Sequence, residues 1–146
     1  MVSSGVADSN RASWVDVLAF VRRFPDDDTW ANWKSDVLSL LEAGVAEDLD
    51  RYYRAGQSMQ HIIFSTAEKH GLEYMEPQPP RVTIGFNKDM SLFVAWSDLN
   101  IWFNEPTRRH SLVGETRFDT LKCYLRDLWI STRPSEPLPP GLAKRV

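Results

Sequence analysis

Between Arg81 and Val113 apolar and polar positions alternate with a period of two, the spacing of β-strands rather than helices. Val82, Ile84 and Phe86 alternate with Thr83 and Gly85, and Asn87 to Met90 supplies turn residues behind them. The next two stretches, Ser91 to Trp96 and Leu99 to Asn104, are apolar on both faces. Leu92, Val94 and Trp96 lie opposite Phe93 and Ala95, and Ile101 and Phe103 lie opposite Trp102. Ser97 and Asp98 make a tight connection, so these two strands are expected to be antiparallel neighbours. A weaker strand is expected over Arg108 to Val113. A doubly apolar strand needs a cover on each side, from the protein's own helices or from a partner.

Around this meander the period becomes helical. Ser13 with Asp16 makes a capping-box-like start, and Trp14, Val17, Leu18 and Val21 recur at helical spacing until Phe24 and Pro25. The acidic run Asp26 to Asp28 caps a second helix, whose apolar positions Trp30, Trp33, Val37, Leu40 and Leu41 lead to a stop at Gly44. Val45, Leu49, Tyr52 and Tyr53 predict a third helix, or a bent extension of the second, over Val45 to Ala55. Ser58 is placed to cap a fourth, with Met59, Ile62, Ile63 and Ala67 as its buried stripe and Gly71 as its stop. Pro77, Pro79 and Pro80 make Leu72 to Pro80 a connector.

After Gly114, the pair Thr116 and Asp119 opens a helix with Phe118, Leu121, Leu125, Leu128 and Trp129 on one face, suited to lie on the meander. The pattern is α+β: N-terminal helices, a three- to four-stranded antiparallel meander, then a C-terminal helix packed on the sheet. It predicts a single domain over residues 13–130 between a flexible tail, 1–12, and an extended Pro-rich tail, 131–146.

Composition supports one folded domain, since 146 residues with 42% hydrophobic and 12% aromatic content can fill a core without staples. A net charge of -3 argues against a broad electrostatic grip on nucleic acid or on an anionic membrane. Cys123 is the single cysteine, so no intrachain disulfide can form. Residues 1–13 contain no apolar signal-peptide core, and no run is long enough to span a bilayer. A cytoplasmic protein is the expectation.

Candidate chemistry is sparse. His61 and His70 are nine residues apart, out of phase on the helix expected there, which demotes a metal site. Cys123, beside an apolar helical stripe, reads as a small buried filler rather than a nucleophile. The carboxylate runs Asp26 to Asp28 and Glu47, Asp48 and Asp50 read as caps or solvated faces. No Gly-x-Ser-x-Gly elbow or phosphate-cradling glycine loop occurs. The basic run Arg108, Arg109, His110, beside an aromatic strand end, could hold single-stranded nucleic acid by stacking, but it is short and alone and reads rather as an edge strand or loop guarded by charge, or as the rim of a contact with an acidic partner.

These exclusions favour a non-catalytic domain that binds another protein and needs no cofactor. Phe93 and Trp102 are candidate apolar anchors, Asp98 and Glu105 candidate acids, and Arg108 and Arg109 candidate basic contacts. A small acidic domain of helices, meander and helix with no catalytic set has the general profile of a bacterial immunity or inhibitor protein that neutralises a toxin. No motif carries that likeness, and it names no family. The alternatives are a small-molecule-binding domain or enzyme with a pocket between helices and sheet, near Trp96 and Tyr124, and a homo-oligomer paired through its doubly apolar strands. Helices on both faces would make three layers, whereas helices on one face would leave Phe93, Ala95 and Trp102 as a binding surface.

Overall fold

In a computed structural model, which describes residues 2–67, 80–97 and 108–143, the meander lengthens to five antiparallel strands in the order β1-β2-β3-β4-β5. These are β1 (Arg54–Ser58), β2 (His61–Ser65), β3 (Arg81–Phe86), β4 (Leu92–Ser97) and β5 (Arg108–Leu112). Two helices precede them, α1 (Ser4–Arg22) and α2 (Ala31–Ala46), with a short 3-10 turn over Leu49–Arg51. Two follow, α3 (Arg117–Thr132) and the single turn α4 (Pro140–Ala143). The α+β class and the helix–sheet–helix order are those the sequence predicts, with more strands than expected.

The register sorts side chains onto two faces. Phe64 pairs with Val82, Val82 with Trp96, Ile84 with Val94 and Val94 with His110, so Ile62, Phe64, Val82, Ile84, Leu92, Val94 and Leu112 share one face. All three long helices pack there. Trp14 of α1 meets Phe64, Trp30 at the start of α2 meets Phe86, and Tyr124 of α3 meets His110. The core between the layers includes Trp14, Trp33, Tyr53, Ile84, Leu125 and Trp129, all at most 2% exposed. Among the described residues the long helices all lie on one face of the sheet, so helices and sheet there make two layers.

Several expectations change. Residues 4–12 form the first half of α1: Ser3 accepts a capping bond from Val6 N at 3.2 Å, and Ala7 and Asn10 are buried. Small residues serve there because the helix runs close to the 3-10 turn, where Asn10 Nδ2 donates to the Arg51 carbonyl at 2.9 Å. In place of the third and fourth helices expected from residue 45 onward, residues 45–65 form the end of α2, the 3-10 turn and the β1–β2 hairpin, and the expected stop at Gly71 lies outside the described residues. At the hairpin tip Met59 and Gln60 have φ of 49° and 67°, the left-handed pair of a type I′ turn, without the Asn-Gly that usually announces one.

Gly44 does not stop α2, which runs on to Ala46. A Cβ there would lie 2.9 Å from Trp14 Cη2, so the glycine admits the indole. The acidic run does cap the helix entry, with Asp27 Oδ1 accepting from Thr29 N and Trp30 N, each at 3.0 Å. The expected pairing of Ser91–Trp96 with Leu99–Asn104 gives way to β5, because β3 and β5 occupy the two edges of β4; residues 99–104 lie outside the described residues. Beyond α3, residues 133–143 are tied to the body: Arg133 Nη2 donates to the Thr66 carbonyl at 2.8 Å and Leu142 is buried.

Candidate functional site

The two margins of the sheet are finished differently. Along β1, α1 satisfies the edge: Trp14 Nε1 donates to the Tyr53 carbonyl, and Ser13 Oγ accepts from Ala55 N, each at 2.9 Å. Along β5, Arg108, Arg109, His110 and Ser111 are all exposed, and among the described residues no group beyond the sheet bonds their backbone. An antiparallel edge strand directs alternate N–H and C=O groups away from its neighbour, so β5 is the margin at which the ladder can continue.

Its side chains divide between the faces. On the face away from the helices Arg109 pairs with Ala95 and Ser111 with Phe93. The Arg109 guanidinium carbon lies 3.7 Å from the Phe93 ring centroid, and Arg109 Nη2 donates to Asn87 Oδ1 at 2.5 Å. Asn87 is anchored in turn through its amide to Ser91 Oγ at 2.9 Å. The Phe93 ring lies where a Cβ on Gly85 would stand, so the glycine is the floor that lets the ring lie flat. The cation therefore rests in a fixed seat. Further in, Thr83 and Ala95 are each 5% exposed, so the open part of this face is its β5 margin.

On the helix-bearing face Arg108 Nη1 donates to Asp127 Oδ2 at 2.7 Å, and its guanidinium carbon lies 4.2 Å from the Tyr124 ring centroid. His110 Nδ1 and the Tyr124 hydroxyl share a hydrogen bond of 2.5 Å. Burial pushes the Tyr124 hydroxyl above its ordinary range, with Arg108 pulling the other way, and the Asp127 hydrogen bond raises the guanidinium of Arg108. The Tyr124 hydroxyl links α3 to β5 through His110.

Of the residues singled out in sequence, Phe93 and Arg109 come together, and Arg108 stands beside them in the chain but on the opposite face. Asp98, Trp102 and Glu105 lie outside the described residues, as does His70. His61 begins a strand, not a helix, and stacks on Phe86 with ring centroids 5.3 Å apart. Cys123 is exposed on α3, not a buried filler, because the inward stripe passes through Leu121, Tyr124 and Leu125 on either side of it.

Asn87, Gly85 and Asp127 were not singled out. A glycine inside a strand pattern signals a close approach, but the Arg108–Asp127 pair spans 19 residues and leaves no local mark. A groove of about 470 Å³ runs between α1 and β1, lined by Ser13, Asp16, Phe20, Arg23, Arg54 and Gln57 among others; Trp96 and Tyr124 do not line it. Among the described residues no three His, Cys, Asp or Glu side chains are grouped to hold a metal, and no helix is long and apolar enough to cross a membrane. No protein-family model, curated protein or solved structure matches this chain.

Proposed function

We propose that this chain is a non-catalytic protein-binding domain whose contact surface is the β5 margin: Arg108, Arg109, His110 and Ser111, with Phe93 beneath. The observation that carries the reading is an exposed terminal strand whose arginines are already seated on aromatic rings and tied by hydrogen bonds. Arginine and aromatic side chains are the usual anchors of interfaces, and cations fixed before contact lose less freedom on binding. The finer reading is an immunity or inhibitor protein that blocks a toxin. It is supported by the small acidic chain, whose net charge of -3 favours encounter with a basic target while β5 sets the docked orientation.

The test is purification of the tagged chain from its source cells, beside the Arg108→Glu, Arg109→Glu double variant. Both side chains are exposed, so the variant is expected to fold with an unchanged circular dichroism spectrum. One protein held by the wild type and lost from the variant supports the reading; a partner held equally by both removes β5 from the interface. For the finer reading, co-expression with the partner must restore growth that the partner alone arrests.

A further inference from the structure

We infer that β5 receives an extended, acidic segment of another protein as a sixth strand, with a carboxylate side chain opposite Arg109. This rests on the protein-binding reading and adds the mode and chemistry of the partner. The asymmetry of the sheet is the starting point. Side chains of α1 bond the β1 margin at Ala55 and Tyr53, whereas among the described residues nothing beyond the sheet bonds the outward N–H and C=O groups of β5, which can take a further ladder.

Charge then chooses the occupant. Arg108 is already neutralised by Asp127 at 2.7 Å, whereas the hydrogen-bond partner of Arg109 is the uncharged amide of Asn87 at 2.5 Å. A carboxylate on the incoming strand, directly across from Arg109, meets a guanidinium whose position over Phe93 is fixed. The neighbouring position, opposite His110, faces the other way, over Tyr124, and suits an apolar or hydroxyl side chain. A second copy of this chain is disfavoured, because two-fold pairing of β5 sets two Arg108-Arg109-His110 runs side by side, and opposed like charges destabilise a ladder.

The probe is a peptide of about ten residues alternating glutamate and valine, long enough to cover the edge. Its comparators are a lysine–valine peptide and a glutamate–valine peptide methylated at every backbone nitrogen. The expected result is binding that weakens with added salt, slowed amide exchange within residues 108–112, and at least about tenfold weaker binding by both comparators and by Arg109→Glu. Binding of the lysine peptide as tight as that of the glutamate peptide would overturn the charge assignment. Unchanged exchange in β5 under saturating peptide, equal binding of the methylated peptide, or no binding at millimolar peptide would overturn strand addition. A stable dimer whose β5 amides are protected would replace the proposed partner with a second copy. If the peptide fails while the double variant still loses its cellular partner, the strand-addition inference falls and the protein-binding reading stands.

Discussion

Gly85 and Phe93 form a coupled pair at the base of the proposed contact. The ring occupies the space a Cβ would need, with Phe93 Cε1 at 2.8 Å from that position. Gly85→Ala must displace the ring, and with it the seat of Arg109, at an expected cost of about 1–2 kcal/mol. In a Phe93→Ala background the same change is expected to be neutral or stabilising, since alanine suits a strand better than glycine. Urea unfolding of the two single variants and the double variant gives the coupling; additive costs would show that ring and glycine are independent. Tyr53 is a second such position. It is fully buried and its hydroxyl donates to the Leu125 carbonyl at 2.5 Å, and burial alone raises its pKa far above the ordinary 10.0. Above about pH 10 the unfolded chain releases this proton and the folded chain keeps it, so stability from Tyr53 is complete below that pH and declines above it. Tyr53→Phe is expected to cost about 1 kcal/mol at neutral pH and to flatten the alkaline decline, read from urea midpoints between neutral and strongly alkaline buffer. A parallel decline in both proteins would assign alkaline loss to other groups.

The β1–β2 hairpin shows where elements were legible and where they were not. Long stripes such as Trp33, Val37, Leu40 and Leu41, or Leu121, Leu125 and Leu128, identify α2 and α3 because only a helix brings those spacings to one face. The alternation of Val82, Ile84 and Phe86 identifies β3 equally well. Over residues 54–65 the apolar positions fit both periods, and Met59 with Gln60 gives no turn signal although both take positive φ. The tertiary partner decided it: β2 can pair with β3 only as a strand. The basic run was legible as a charge-guarded edge strand or loop, because two consecutive arginines rarely sit in the middle of a sheet. The seat of Arg109 was not, since it depends on Asn87, 22 residues away. The strained tip offers a direct test. Replacing Met59 with Asn and Gln60 with Gly supplies residues that tolerate left-handed φ, and is expected to raise stability by about 1–2 kcal/mol. An unchanged or lower midpoint in thermal unfolding would mean that Met59, 70% exposed as it is, contributes a contact that offsets the strain.

At the scale of the molecule, both ends of the described chain enter the same core. Val2 and Ala7 at one end and Leu142 at the other belong to the cluster that contains Trp14, Ile84 and Leu125. Between them, ion pairs join α3 to α2 and its C-terminal end: Arg117 to Asp36 at 3.0 Å and Lys122 to Glu47 at 2.8 Å. Neither end is a dispensable tail, and loss of either is expected to weaken the whole rather than melt a part. Deleting residues 2–12 removes the Ser3 cap, the Asn10–Arg51 bond and the burial of Val2 and Ala7, together about 3 kcal/mol. Deleting residues 133–143 removes the Arg133–Thr66 bond and the burial of Leu142, together about 2–4 kcal/mol. A core shared by every layer unfolds as one cooperative unit, so each truncation should lower a single transition without splitting it. Of the six tryptophans, Trp14, Trp33 and Trp129 place one in each long helix and Trp96 lies in β4, so fluorescence reports side-chain packing in both helices and sheet while circular dichroism reports the backbone. Coincident curves at a lower midpoint are expected for both truncations. A truncation that leaves the midpoint in place, or separates the two signals, would show that the end it removes folds apart from the core.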